Sequence, residues 1–229
     1  MSNERKKRIQ QRKEREKEQR RNEIITKAID LFISKGYDNT TMEDIALKAS
    51  LSKGTLYNYF DSKDDLYLVV ATIAMKKLND YYDGLYKNPL FERLLSLGYA
   101  TYEFSKKFPE LYNIASDIRS HPIFLSIYKK VMEGASLNRN ETEMHIEIQR
   151  YQKLIYDPIK EAIDNKLIRD DLTPLLLATT ITSLTGGIID VLRNLKPLYK
   201  SLEINPDDIF DLVLDWVTEG IKPKKQEEK

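Results

Sequence analysis

Cysteine is absent from the 229-residue sequence, and glycine, proline and histidine are scarce, with eight, eight and two copies. Without cysteine the chain has no disulfide, no thiolate metal ligand and no thiol nucleophile, which is compatible with a reducing cytoplasm. No apolar run approaches the roughly 20 residues that span a bilayer, and the first residues do not resemble a signal peptide. We therefore expect a soluble cytoplasmic protein that makes no contact with a membrane.

The residues that usually carry enzymatic chemistry are also missing. The two histidines, His121 and His145, lie 24 residues apart and outside any HxxxH or HExxH motif. The phosphate-binding motifs GxGxxG and GxxxxGK(S/T) and the nucleophile motif GxSxG do not occur. The sequence therefore predicts no metal site, no cofactor and no enzyme.

Charge is nearly balanced over the whole chain, but it is distributed unevenly. Lys and Arg number 37 against 36 Asp and Glu, which gives a net charge of +1. Residues 1–63 hold 15 basic and 10 acidic residues, whereas residues 64–229 hold 22 and 26, so the two parts carry +5 and −4. Ten Lys and Arg against four Glu give residues 1–21 a local charge of +6. We expect any anionic partner to bind near this end.

The low content of glycine and proline, together with apolar residues spaced three and four apart, predicts an all-α fold of about nine helices. The first helix should contain residues 22–35 and end at Gly36. Short helices are predicted at 41–49 and 53–60, and a long one from about residue 62 to 86. The later helices are expected at 90–106, 110–119, 122–134, 138–167, 172–195 and 206–221, with a kink at Pro158. We divide the chain into a basic extension (1–21), a helix-turn-helix domain (22–66) and a larger C-terminal domain (67–229).

The stretch from Thr40 to Lys63 predicts a helix-turn-helix, because two short helices are separated by a three-residue break at residues 50–52. Thr40 and Thr41 each begin a capping-box pattern, so either one could be the N-cap of the first short helix. Leu56 and Phe60 of the second helix are expected to pack in the core. Its small, polar and aromatic residues then face outward, as in a helix that enters the major groove of DNA.

In this region the sequence resembles the TetR family of transcriptional regulators. The resemblance covers about 45 residues, and it is carried by Phe32, Gly36-Tyr37, Thr40-Thr41, Ile45-Ala46, Ala49, the run from Ser52 to Tyr57, Tyr59-Phe60 and the run from Ser62 to Leu66. Two positions depart from the pattern: Ser50 stands where glycine is common, and Tyr59 where histidine is common. A serine at position 50 indicates a right-handed or mildly strained backbone.

The resemblance implies which residues contact DNA. Those expected to face the major groove are Lys53, Gly54, Thr55, Tyr57 and Asn58. Thr55 and Asn58 are the better candidates for base contacts, because Asn can read adenine and Thr can contact the methyl group of thymine. The residues expected to bind phosphates are Thr40 or Thr41, Tyr57, Tyr59 and Lys63. For Tyr57 and Tyr59, packing against the long helix is the alternative.

The sequence leaves both the conformation and the partner of the basic extension open. This extension could continue the first helix, or it could be a disordered arm that reaches flanking phosphates or the minor groove. The alternative is a solvated tail without a partner.

Tyrosine and phenylalanine are concentrated in the middle of the chain, where eleven of the 22 aromatic residues lie between Tyr81 and Tyr128. Buried tyrosines need partners for their hydroxyl groups, which suits a ligand pocket, although packing in a core is an equal alternative for each one. The family resemblance implies a small-molecule effector among the middle helices. The candidate effector residues are Tyr81, Tyr99, Tyr102, Phe108, Tyr112, Phe124, Tyr128, Tyr151, Ile155 and Leu184.

The segment 172–195 is apolar on nearly every face, and the last helix offers further apolar residues. The pattern favours a dimer interface, and the resemblance implies a homodimer in which two helices from each protomer form a four-helix bundle. The candidate interface residues are Leu184, Ile188, Leu192, Phe210, Val213, Trp216 and Val217. A monomer core is the alternative.

Together these features predict a ligand-responsive, sequence-specific DNA-binding regulator that binds a pseudo-palindromic double-stranded operator as a homodimer. It is expected to be a repressor released by a hydrophobic effector such as a lipid, an acyl-CoA or a drug-like compound. The lysines considered for an acyl-CoA head group are Lys106, Lys107, Lys129 and Lys130. The alternative function is a constitutive architectural DNA-binding dimer without an effector pocket.

Overall fold

A computed structural model describes residues 2–87 and 89–223 of the chain, and the secondary structure in these residues is entirely helical. The α-helices are α1 (Ser2–Lys35), α2 (Met42–Lys48), α3 (Lys53–Tyr57), α4 (Lys63–Asp83), α5 (Leu90–Lys107), α6 (Pro109–Asp117), α7 (Pro122–Met132), α8 (Arg139–Asp164), α9 (Pro174–Asn194), α10 (Lys196–Ser201) and α11 (Pro206–Ile221). Two 3₁₀ turns lie at Gly84–Lys87 and Ile118–Ser120.

The all-α prediction is confirmed, and the described residues contain eleven α-helices, of which ten correspond to the predicted ranges. One helix that was not predicted is α10, whose Pro197 lies within its first two positions. Gly36 ends α1 with a φ of 77°, and its N–H donates to the carbonyl of Phe32 at 3.0 Å, as a helix C-cap does. Pro158 lies inside α8, and the helix continues through it to Asp164.

The chain forms two compact units. Unit 1 comprises Met1–Ile73 and Ile118–Met144, and unit 2 comprises Ala74–Asp117 and His145–Lys229. The predicted domain boundary after residue 66 falls inside α4, which is one continuous helix. The assignment of residues 118–144 to unit 1 has no signal in the sequence, because it depends on contacts between distant segments.

Unit 1 is built on a small core in which α1 packs on α2 and α2 packs on α3. Ile24, Ile45, Leu56 and Leu66 are fully buried, one from each of the first four helices. Removing such side chains from water supplies most of the stabilisation of short helices like α2 and α3, which are too short to form alone.

Unit 2 is organised around α5, which contacts α6, α9 and α11, while α9 also packs on α11. Gly98 allows α5 to approach α11 closely, since a Cβ atom at this position would lie 2.9 Å from Cδ2 of Leu214. Phe104, Ile189 and Phe210 are fully buried in this core.

The expectation that no apolar run approaches the length that spans a bilayer is wrong. Among the described residues, α9 is long and apolar enough to cross a membrane by length and composition, with a mean hydropathy of 1.7. This is weak evidence for a membrane span, because a core helix of a soluble protein can have the same composition. Only 28% of its most apolar 18 residues are buried, so α9 leaves an apolar face uncovered in the single chain.

Candidate nucleic-acid interface

The break between α2 and α3 forms a tight turn that is closed by side-chain caps. Thr41 is the N-cap of α2, and it exchanges hydrogen bonds with Asp44, whose backbone N–H donates to the threonine hydroxyl at 3.1 Å. In return, the backbone N–H and the hydroxyl of Thr41 donate to the carboxylate of Asp44. The bond from the backbone N–H is the main cause that lowers the pKa of Asp44. Ser52 caps α3 by accepting from the N–H of Thr55 at 3.1 Å. Ser50 has a φ of 55°, so its backbone is left-handed and not right-handed.

The second helix of the motif presents the predicted outward residues to solvent. Lys53, Gly54, Tyr57 and Asn58 are exposed, whereas Thr55 and Tyr59 are half-buried. The predicted core positions are confirmed, since Leu56 is fully buried and Phe60 is 1% exposed. The hydroxyls of Thr55 and Ser52 are hydrogen-bonded to each other at 2.8 Å. A base contact by the Thr55 hydroxyl would therefore compete with its bond to the N-cap residue Ser52.

Two lysines of the site are held by neighbours that sequence reasoning missed. Lys53 forms an ion pair with Glu43, and the hydrogen bond in this pair raises the pKa of the lysine. Lys63 donates to the carbonyl of Tyr37 at 3.0 Å and lies 4.0 Å from the centroid of the Tyr37 ring. Each ammonium group has three donors, so both lysines keep N–H groups for phosphates.

The two candidate threonines are placed differently. Thr40 is fully buried, and its hydroxyl donates to the carbonyl of Gly36 at 2.7 Å. Thr41 is exposed at the start of α2. Of the two, only Thr41 is therefore accessible to a phosphate.

A polar network connects α1, α4 and the start of α8 within unit 1. Arg21 donates to the side chain of Asn140 at 2.9 Å, and Asn140 donates to Asp65 at 2.7 Å. The guanidinium of Arg21 also lies 5.1 Å from the ring centroid of Phe60. Sequence alone gives no signal for these contacts, because they join residues that are 75 and 119 positions apart.

The predicted effector residues are divided between the two units. Phe124 and Tyr128 belong to unit 1, where their ring centroids are 5.2 Å apart. The other eight belong to unit 2, and of these Tyr102, Tyr112 and Ile155 are buried while Tyr99 and Leu184 are exposed. Tyr81, Phe108 and Tyr151 are half-buried.

Several tyrosine hydroxyls of unit 2 have protein partners. Tyr102 donates to Asp207 at 2.8 Å, and Tyr99 donates to Asp211 at 3.0 Å. Burial, followed by this hydrogen bond, raises the pKa of Tyr102, and the same bond lowers the pKa of Asp207. The Tyr102 ring also stacks on Phe210 with centroids 4.1 Å apart. Part of the tyrosine cluster therefore joins α5 to α11.

The candidate dimer residues fall into two groups. Leu184 and Trp216 are exposed by 50% and 65%, and Ile188, Val213 and Val217 are half-buried. Leu192 and Phe210 are covered within the protomer, at 3% and 0% exposure, so they are not part of its exposed apolar face. Leu175, Leu176 and Val191 of α9 are exposed apolar residues that are not among the candidate interface residues.

The capped turn and the exposed α3 define unit 1 as a helix-turn-helix domain. Residues 24–70 match the profile of the bacterial regulatory proteins of the tetR family. These residues therefore form a DNA-binding domain of the type found in TetR-family transcriptional regulators.

Curated relatives support this assignment. IcaR of Staphylococcus aureus strain Newman, an HTH-type negative transcriptional regulator of the biofilm operon icaADBC, is 49% identical over 60 residues, which cover 26% of this chain and 32% of IcaR. The match thus spans about a third of the length of this relative. IcaR of Staphylococcus epidermidis strain ATCC 35984 is 29% identical over 163 residues, which cover 64% of this chain and 74% of that protein.

Solved structures share the fold across most of the chain. The ketosteroid transcriptional regulator KstR2 of Mycobacterium tuberculosis has a TM-score of 0.61 and 21% identity, covering 90% of this chain and 96% of its own. The regulator FadR of Bacillus subtilis, in complex with stearoyl-CoA, has a TM-score of 0.58 and 16% identity, covering 87% and 98%. At these identities the likeness shows the fold alone.

Proposed function

We propose that this protein is a ligand-responsive repressor that binds a pseudo-palindromic DNA operator as a cytoplasmic homodimer and leaves it when a hydrophobic small molecule binds. The observation that carries the proposal is the exposed surface of α3 on a capped helix-turn-helix. It combines a cation, a glycine and an asparagine next to aromatic hydroxyls, which is the chemistry that a major groove and its phosphates accept.

Within this surface the roles follow from exposure. Asn58 is exposed at the C-cap of α3, where its side-chain amide is free to form the bidentate pair that reads adenine. Tyr57 is 42% exposed, and its hydroxyl can donate to a phosphate. Lys53, Lys63, Thr41 and Tyr59 supply the remaining phosphate contacts, which fix the position of the helix without reading sequence.

Dimerisation is supported by the apolar residues that α9 and α11 leave exposed in the protomer. Leu184 and Trp216 would be costly to leave in water, and α9 has further exposed leucines near its start. Gly187 has no atom within 4 Å of the position where a Cβ would be, so a facing helix has room to approach it. Two-fold pairing would also supply the second recognition helix that a palindrome requires.

The effector is proposed to bind among the helices of unit 2, whose aromatic residues form a row. The ring centroids of Tyr81 and Phe104 are 5.8 Å apart, and those of Phe104 and Phe108 are 5.3 Å apart. Aromatic rings of this kind suit contact with a hydrophobic ligand. FadR of B. subtilis, a protein of the same fold, holds stearoyl-CoA, which makes lipids and acyl-CoAs the first compounds to test.

An anionic head group has a specific candidate position at the end of this row. The ammonium groups of Lys77 and Lys107 lie 5.2 and 5.4 Å from the ring centroid of Phe108. Neither lysine forms an ion pair within the described part of the chain. The other lysines considered for this role are engaged, since Lys106 pairs with Asp207, Lys129 with Glu133 and Lys130 with Glu141.

The proposal predicts reciprocal coupling between effector and operator. Operator DNA is first selected from random sequence, and its affinity is measured by fluorescence anisotropy with and without stearoyl-CoA, stearate or a neutral steroid. An effector should weaken operator binding by at least about fivefold, and the operator should weaken effector binding by the same factor. The variant Lys77→Gln/Lys107→Gln should lose coupling to the anionic compounds only, with Lys129→Gln/Lys130→Gln as the control.

Two outcomes would count against the proposal. A selected site that lacks two-fold symmetry would contradict the dimeric operator complex. Operator affinity that stays constant with all three compounds and with a metabolite extract would favour a constitutive architectural DNA-binding protein.

A further inference from the structure

The N-terminal part of α1 is an exposed basic helix. From Glu4 to Arg20 every side chain is exposed, although the backbone is helical throughout. A highly charged segment of this length gains little from burial, and an isolated helix in water is only marginally stable. The conformation is therefore one that an anionic partner would stabilise.

Contacts at residues 18–21 fix the direction in which this helix leaves unit 1. Glu18 lies 3.8 Å from Arg139, and Arg21 donates to Asn140. Just before these contacts, Glu14 and Lys17 line a polar groove together with Asn58 and Tyr59 from the end of α3. The C-terminal end of this basic segment therefore lies beside residues proposed to contact DNA.

The cations of this segment lie on two different faces. Five turns of an α-helix contain 18 residues, so Lys6 shares a face with Ile24, and Lys13 shares one with Leu31. Ile24 is fully buried and Leu31 is 8% exposed, so this is the side that α1 turns toward the rest of unit 1. Lys17 lies on the same side, eleven residues or about three turns before the buried Ala28.

Three of the arginines point elsewhere. The same rule places Arg5, Arg8 and Arg15 over Glu23, Thr26 and Ile33, and these three residues are all exposed. These arginines therefore face away from α2 and α3. The contrast between the two faces predicts different roles, although the six cations carry equal charge.

We propose that the face of α1 formed by Lys6, Lys13 and Lys17, called here the lysine face, binds phosphates of the DNA that adjoins the half-site read by α3. The inference rests on the proposed function and adds a second contact surface to it. Lys6 and Lys17 are about 16 Å apart along the helix, which corresponds to roughly five base pairs at 3.4 Å each. None of the three lysines has an ion pair among the described residues, so no carboxylate competes with phosphate.

Competing charge on this face is limited. Glu14 lies near it, but its carboxylate accepts from the side chain of Gln10 at 3.1 Å. Arg21, on the same face, is engaged with Asn140 and Phe60 and is therefore not counted among the DNA contacts.

The test compares two variants of the full-length protein that remove equal charge from the same helix. Lys6→Gln/Lys13→Gln/Lys17→Gln removes the lysine face, and Arg5→Gln/Arg8→Gln/Arg15→Gln is the matched control. Glutamine is a good helix former, and circular dichroism checks that both variants retain the helicity of the wild type. Operator affinity is measured between 50 and 300 mM salt, on probes with ten flanking base pairs on each side and on probes trimmed to the protected site.

Each phosphate contact contributes about 0.9 to the slope of log affinity against log salt concentration. The lysine variant should lose about 2 to 3 units of slope on the long probe, and the arginine variant should lose less than about 1. Equal losses in both variants, a larger loss in the arginine variant, or no loss in either would overturn the inference while leaving the repressor proposal intact. A wild-type protein that protects no two-fold site would overturn both.

Discussion

Gly54 offers the sharpest test of whether α3 enters a groove of DNA. It is the second residue of α3, it is exposed, and no atom lies within 4 Å of the position where a Cβ would be. Its backbone is helical and does not need the left-handed conformation that favours glycine. Nothing inside the protomer therefore requires glycine at this position.

The variant Gly54→Ala should consequently fold at least as well as the wild type. Alanine is favoured over glycine in helices by about 0.8 to 1 kcal/mol, and α3 is short, so we expect a gain of roughly 0.5 kcal/mol in the free energy of unfolding. If the backbone of α3 approaches DNA closely, the added methyl group separates the two surfaces. Operator affinity should then fall about tenfold, or about 1.4 kcal/mol.

Two other glycines provide controls for this measurement. Gly84→Ala, also with no neighbour within 4 Å of the new Cβ, should change neither stability nor DNA binding by a measurable amount. Gly98→Ala should lower stability, because its Cβ would collide with Leu214. Stability comes from urea denaturation and affinity from anisotropy. Wild-type operator affinity in Gly54→Ala would refute close approach of α3 to DNA.

Three further predictions concern the dimer, the turn and the contact between α5 and α11. Trp216→Glu should shift the protein to a monomer in analytical ultracentrifugation, whereas Met132→Glu, at an even more exposed apolar residue, should leave the dimer intact; a dimeric Trp216→Glu would exclude this interface. Ser50→Gly should raise the free energy of unfolding by about 0.5 to 1 kcal/mol, because it relieves a left-handed backbone at a β-carbon-bearing residue; a loss of stability would contradict that geometry. Tyr102→Phe should cost about 1 kcal/mol at pH 7 by removing its hydrogen bond to Asp207. Since that bond lowers the pKa of Asp207, its contribution is fully present above the usual aspartate pKa of about 3.9 and is lost as the pH falls through the lowered pKa of the folded state. Stability curves of the variant and the wild type should therefore converge below about pH 4, and parallel curves would refute this linkage.

The elements that the sequence predicted well depend on local interactions. Proline at the first position of α6, α7, α9 and α11, and glycine at the end of α1, act through the backbone within one or two turns. The helix-turn-helix was predictable for the same reason, because its caps and its core residues lie within about 25 positions. The helix α10 was missed because it has only six residues, which is too short to show a helical period of apolar residues.

Among the candidate site residues, the outward surface of α3 was predictable and the effector set was not. Leu56 and Phe60 alternate with polar residues at helical spacing, so the exposed side of α3 follows from sequence. A cluster of tyrosines has no such rule. The sequence could not tell that Tyr102 bonds to Asp207, 105 positions away, or that Phe124 and Tyr128 belong to a different unit from Tyr81.

Propensity, capping and charge are properties of neighbouring residues, so the helical class, the position of the helix-turn-helix and the basic charge at the start of α1 follow directly from the sequence. The fold was needed to show that Thr40 is buried and Thr41 exposed, that residues 118–144 belong with the helix-turn-helix, and that Lys6, Lys13 and Lys17 lie on the side of α1 whose later residues are buried. These features depend on contacts between segments far apart in the chain. Such contacts are selected by packing, on which local sequence patterns carry little information.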